Sequence, residues 1–142
     1  METTKADATT EQETVEAAVI GRFLASIEAG GMPDADALGD DVVLDATVPN
    51  WRFTLRGVGA VRAELARWYA DPGTFEDLTR TPVPGGELVT FTLRWQENGV
   101  PHAAHQAHVV SVGGGRIVQD QVWCGGRWPA ALLAEMAAAA HA

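Results

Sequence analysis

The sequence predicts an α+β fold in one domain: a curved antiparallel sheet packed on helices. Three observations carry this. Apolar residues recur at helical spacing in the N-terminal part, and period-two alternation dominates the second half. Turns rich in Gly or Pro cut that second half into four strands. With 142 residues, 46% of them hydrophobic, the chain can bury a core without disulfides or a structural metal.

The elements follow in order. Residues 1–12 are polar and acidic and read as a disordered tail, leaving a single domain over 13–142. Val15, Ala18, Val19, Phe23 and Ile27 mark a first helix from near Glu13, stopped by Gly30-Gly31 and Pro33. Asp34 precedes a short second helix, Ala35–Leu38. Val42–Val48 and Trp51–Arg56 read as a hairpin around Pro49-Asn50. Gly57 and Gly59 open a third helix, Ala60–Tyr69, with Val61, Leu65 and Trp68 on one face. Four meandering strands follow: Phe75–Thr81, Leu88–Gln96, His102–Val112 and Ile117–Cys124, the last two joined across Gly113-Gly114-Gly115. Pro129–His141 is an Ala-rich C-terminal helix. Where such a sheet and its helices diverge, they leave a cavity suited to a ligand.

Composition excludes several functions. Lys and Arg number 10 against 19 Asp and Glu, a formal charge of −9, which disfavours a nucleic-acid partner. No apolar run reaches the ~18–20 residues of a membrane span. Residues 1–16 lack the basic and apolar regions of a signal peptide, so a cytoplasmic location is expected. Cys124 is the single cysteine, which leaves no intrachain disulfide and no Cys-based zinc site. The glycine clusters do not form a phosphate-binding motif, and no cofactor is expected.

The chain resembles the NTF2-like superfamily, with its SnoaL-like polyketide cyclases and ketosteroid-isomerase relatives. The residues that carry this are Phe23-Leu24-Ala25-Ser26-Ile27-Glu28-Ala29-Gly30, Asp40-Asp41-Val42-Val43-Leu44, Phe53-Thr54-Leu55-Arg56-Gly57-Val58-Gly59-Ala60-Val61 and Gly115-Arg116-Ile117-Val118. The match spans roughly residues 13–136. It implies a cone-shaped fold closed by three helices around a deep apolar pocket, often in a homodimer. It says little about the reaction, because one fold hosts many chemistries. In the ketosteroid-isomerase pattern the oxyanion tyrosine falls on Phe23, the general-base aspartate on Ala46 and the second oxyanion donor on Ala107, so that mechanism is lost. A slip of one residue would put Asp45 at the base position.

The remaining candidates come from placing residues on faces. His102, His105 and His108 are spaced by three, but on a strand His102 and His108 share one face and His105 takes the other, so the three cannot converge on a metal. The resemblance puts His105, Ala107, Val109 and Ser111 on the pocket face, with Val118, Asp120, Val122 and Cys124 on the pocket face of the next strand. His105 and Asp120 then form a general acid/base pair, as a His and an Asp do in SnoaL-like cyclases. The alternative is a buried structural pair or a dimer contact. Trp51, Phe53, Trp68, Tyr69, Val109 and Val122 are candidate pocket residues, Tyr69 as a donor to a substrate oxygen. Asp45 joins them, or is an exposed strand acid. Arg52, Arg56 and Arg94 read as solvated strand arginines, and Cys124 as a buried free thiol. The expected function is cofactor-free acid/base catalysis on a small hydrophobic molecule, as a cyclase, isomerase, dehydratase or other lyase. The alternatives are a non-catalytic binding protein for such a molecule, and a dimeric module whose sheet face binds a protein.

Overall fold

A computed structural model describes residues 3–140, with side chains described from Val15 onward. Helix α1 (Thr3–Ala29) leads through a 3-10 turn (Ala35–Ala37) into β1 (Leu38–Val48) and β2 (Trp51–Arg56). Helix α2 (Val58–Trp68) precedes the meander β3 (Gly73–Val83), β4 (Gly86–Glu97), β5 (Val100–Gly113) and β6 (Arg116–Cys124). A two-residue strand β7 (Trp128–Pro129) and helix α3 (Ala130–Ala140) end the chain. Helix α1 begins at Thr3 rather than near Glu13, so backbone expected as a tail is helical from Thr3 on. Met1, Glu2 and the last two residues lie outside the described region, as do the side chains of residues 1–14. Among the described residues no helix is long and apolar enough to cross a membrane.

The strands form one curved, open sheet in the order β2-β1-β6-β5-β4-β3, with β7 paired to the start of β5. The sheet is mixed rather than wholly antiparallel, because β1 and β6 run parallel. The direction of β6 is set by the three hairpins that precede it, and it ends up beside β1 at the sheet centre. Helix α1 lays Val19, Ile20, Phe23, Leu24 and Ile27 against the concave face, a stripe at helical spacing. Helix α2 adds Val61 and Leu65. The sheet answers with Leu44, Ala46, Val89, Phe91, Leu93, Val110, Ile117 and Val122.

Polar contacts fix the helix over that face. Arg80 of β3 donates to the Ala17 carbonyl of α1 at 2.7 Å and forms a two-pronged pair with the buried Glu87 carboxylate of β4. Arg22 holds Asp34 through both carboxylate oxygens, and the Asp34 amide donates to Ser26 Oγ at 2.9 Å. The first set ties the middle of α1 to the sheet, and the second ties its C-terminal half to the segment leading into β1.

The β5–β6 hairpin carries an irregularity with large consequences. Beside its turn, Val112 faces Ile117 and Gly113 faces Arg116, but two residues further on Val110 faces Asp120 and Ser111 faces Gln119. Strand β6 has one extra residue there, and Val118 is pushed out to 42% exposure. A one-residue slip reverses the face of every side chain beyond it.

At the same end of β5, along its other edge, Gly86 opens β4 opposite Ser111. A Cβ at Gly86 would lie 1.7 Å from the Val110 carbonyl oxygen, a main-chain atom that cannot swing away. Gly86→Ala should therefore lower unfolding stability by about 3 kcal/mol, the upper part of the range for overpacking. A denaturant midpoint equal to that of the parent protein would show that the strands are not this close.

Candidate active site

A cavity of about 390 Å³ opens where α2 and the β1–β2 hairpin diverge from the β4–β5 part of the sheet. Phe53, Trp68, Leu93, Trp95 and Ala104 give it apolar walls. Its polar floor is made by Tyr69, just after α2, Gln106 on β5 and Cys124 at the end of β6. Arg67 and Glu64 of α2, and Arg127 from the segment before β7, stand at its rim.

A hydrogen-bonded chain runs from this floor into the core. The Tyr69 hydroxyl donates to Gln106 Oε1 at 2.6 Å. His108 Nε2 lies 3.0 Å from the same oxygen, and His108 Nδ1 lies 2.7 Å from Asp120 Oδ1. Tyr69, Gln106, His108 and Asp120 are all buried. The His108 ring stacks on Phe91, with centroids 5.4 Å apart, and meets the edge of Phe23 at 6.2 Å. Since Gln106 Oε1 can only accept, His108 Nε2 carries a proton. One further proton is shared between Nδ1 and Asp120 Oδ1. The second Asp120 oxygen is buried without a hydrogen-bond partner among the described residues. Gln106 Nε2 points the other way, 3.4 Å from Cys124 Sγ.

These positions correct the expected site in part. Asp120 and Val122 face inward as expected, with Val122 in the core beneath the cavity rather than in its lining. His105 does not face the pocket. It lies exposed on the outer sheet face, its Nδ1 2.9 Å from Thr92 Oγ1, and Val109 is on that face too. The expected alternation along β5 holds, but its sense is reversed. Extending the Val112–Ile117 register would have set Val109 opposite Asp120 and His105 opposite Cys124. The even-numbered residues of β5 continue inward from Val112, and the extra residue at Val118 brings Asp120, Val122 and Cys124 onto that same face. Ala107 is likewise outside, so the inward neighbours of that expected position are Gln106 and His108.

Phe53, Trp68 and Tyr69 line the cavity as expected, while Trp51 is 68% exposed and does not. Asp45 is on the outer face, gripped by Arg52 through both oxygens, and its carboxyl is held below the ordinary carboxylate range by that bond. Ala46 faces the core, so the register that puts Ala46 rather than Asp45 inside is correct. Arg94 is paired with Glu76 at 2.7 Å. Among the described residues no group of three or more His, Cys, Asp or Glu side chains is arranged to hold a metal. Sequence reasoning missed Gln106, His108, Trp95, Arg67 and Arg127. The apolar pair Val112 and Ile117 flanking the triple glycine was the available signal that the even-numbered side of β5 turns inward.

Burial pushes the Tyr69 hydroxyl well above its ordinary pKa, and the negative potential of Asp120 and Cys124 adds to this, only partly offset by Gln106. Tyr69 therefore stays protonated and acts as a hydrogen-bond donor. It is the only tyrosine, so ultraviolet absorbance follows it alone. No tyrosinate should form at pH about 10, where an exposed tyrosine is half ionised. Because the folded state holds this proton more tightly than the unfolded chain, stability should decline as pH rises beyond that point. Half ionisation at pH 10 with the fold intact would contradict the burial.

His108→Leu should destabilise the fold by about 3–5 kcal/mol by leaving Asp120 buried without its partner, while His108→Leu combined with Asp120→Leu should recover most of that loss. Additive losses in a double-mutant cycle would show that the two side chains do not interact.

No family model and no curated protein matches the sequence. Solved structures match the fold. A Bacillus subtilis protein provisionally called an isomerase superimposes with a TM-score of 0.65 at 15% identity, over 79% of this chain and 87% of that one. An LEH-like epoxide hydrolase of M. tuberculosis gives 0.59 at 20% identity, over 78% and 83%. An NTF-2-like protein of unknown function from Burkholderia xenovorans gives 0.56 at 20% identity, over 80% and 84%. An open, curved sheet wrapped on helices, with a cavity between them, is thus the NTF2-like fold in this chain.

Proposed function

We propose that the cavity is the active site of a cofactor-free acid/base enzyme acting on a small, largely apolar molecule that carries a carbonyl or similar oxygen. The observation that carries this is the convergence of the Tyr69 hydroxyl and the Gln106 side chain on the floor of an apolar cavity, with the His108–Asp120 pair directly behind them. A substrate oxygen at the floor would take the Tyr69 proton donor in place of Gln106 Oε1. As that oxygen gains negative charge, a preoriented donor in a dry site stabilises it strongly. His108 and Asp120 do not touch the cavity, so they are positioning residues: they hold Gln106, and through it Tyr69.

The lining also limits the chemistry. Its one carboxylate, Glu64, is at the rim and has both oxygens engaged, by Trp68 Nε1 and by Arg67. The site is therefore better equipped to stabilise an oxyanion than to pull a proton from an unactivated carbon. Cyclisation, isomerisation or elimination on a substrate with an already acidic C–H fits this equipment. The epoxide hydrolase and the provisional isomerase of the same fold are compatible with a catalytic reading. Glu64 also favours a second reading, a binding protein without turnover, since no unengaged base lines the cavity.

4-Nitrophenol separates the two, because its absorbance reports its own ionisation. An oxyanion-stabilising site should lower the pH at which the bound phenol ionises by about one unit, roughly 1.4 kcal/mol. Tyr69→Phe should abolish most of that shift, and turnover of a true substrate should fall about 10²–10³-fold in the same variant. Binding with ionisation unchanged, or moved to higher pH, would overturn the catalytic reading in favour of a binding protein.

A further inference from the structure

The rim of the cavity has more hydrogen-bond donors than its own acceptors use. Two of the chain's ten basic residues stand there, Arg67 and Arg127. Each is ion-paired, with Glu64 and Glu97 respectively, and Arg127 also lies over the Trp95 ring, 5.2 Å from its centroid. The carboxylates are well occupied. Glu64 receives Trp68 Nε1 at 3.1 Å on one oxygen and Arg67 on the other. Glu97 receives Trp95 Nε1 at 3.3 Å and Arg127 on one oxygen, and its other oxygen is 3.8 Å from His102 Nε2. Each guanidinium, by contrast, has five N–H donors and engages its glutamate through one nitrogen. The glutamates and the Trp95 face hold the guanidinium groups in place without exhausting them. Unfilled capacity at this rim is thus donor capacity, which suits an anion.

We infer that the ligand of this cavity is an amphipathic carboxylate, its apolar body among Phe53, Trp68, Leu93 and Trp95 and its carboxylate held at the rim by Arg67 and Arg127. This rests on the reading of the cavity as a small-molecule site and adds the chemical class of the molecule. With Glu64 and Glu97 the two arginines leave the rim formally neutral, on a chain whose net charge of −9 otherwise disfavours anions. The placement also orients the ligand, with the anionic end outward and the opposite end toward Tyr69.

The test compares 2-naphthoate with its uncharged isostere 2-naphthamide, followed by quenching of tryptophan fluorescence, since Trp68 and Trp95 line the cavity. At low ionic strength the carboxylate should bind about tenfold more tightly, equivalent to ~1.4 kcal/mol, and added salt should erode the difference. In a protein carrying both Arg67→Gln and Arg127→Gln the two affinities should become equal, through weaker naphthoate binding at unchanged naphthamide binding. Arg67→Lys with Arg127→Lys should keep a preference for the carboxylate. Equal or tighter binding of the amide by the parent protein would overturn the inference while leaving the cavity as a binding site. A preference that survives the Gln variants but disappears in Tyr69→Phe would also overturn it, by putting the carboxylate on the floor. Failure of both compounds to bind would remove the small-molecule reading itself, and this inference with it.

Discussion

One extra residue in β6, at Val118, decides whether the buried histidine of β5 meets a carboxylate. It shifts the β5–β6 register by one beyond the turn, so Val110 rather than Val109 faces Asp120. Asp120 then turns inward within reach of His108, and Gln106, two residues back on the same face of β5, comes between the histidine and the cavity. Without the bulge β6 would present Gln119 and Gln121 inside in place of Asp120 and Val122, and the polar chain from Tyr69 to Asp120 would lose its carboxylate. The bulge thus fixes the chemistry of the cavity floor while leaving the architecture of the fold unchanged.

A polar chain of this kind is an expensive way to fill a core. The positions on either side of it are occupied by Phe23, Phe91 and Val122, so apolar residues are evidently compatible with this layer. A buried ionisable pair contributes little net stability over a hydrophobic replacement, and removing one partner is strongly destabilising. What the chain does provide is a tyrosine hydroxyl held by fixed partners at the floor of an apolar-walled cavity. The walls there are aromatic and aliphatic, so a charge developing on a bound oxygen meets Tyr69 and Gln106 with little competition from water. The arginines at the rim supply the opposite pole, and a ligand of matched shape would lie between the two.

Much of the fold was legible because it depends on local signals. The turn glycines and prolines, the alternation of β4 and the helical stripe of α1 marked the elements to within a few residues, except that α1 starts about ten residues before its stripe, and the resemblance to NTF2-like proteins supplied their arrangement. The site was less legible for a specific reason. Alternation reveals which residues share a face but not which face is inside, and both sides of β5 carry Ala, Val and histidine. Pairing with Asp120 could choose between them only if the hairpin register were known, and a bulge leaves no composition signal of its own. Phe53, Trp68 and Tyr69 could be placed because they flank α2, away from the shifted hairpin. Arg67 and Arg127 were missed because a rim is made by elements distant in sequence, here the end of α2 and the segment after β6.

His108 is locked in a buried hydrogen-bonded chain whose far end is the cavity. Nitrogen-15 NMR of the histidine side chains tests it most directly. The Nε2 proton that faces Gln106 and the proton between Nδ1 and Asp120 should both be protected from solvent exchange, with the Nε2 resonance moving when 4-nitrophenol fills the cavity. His105, exposed on the outer face, serves as the internal reference. His108 protons that exchange as fast as those of His105, or that ignore the ligand, would contradict it.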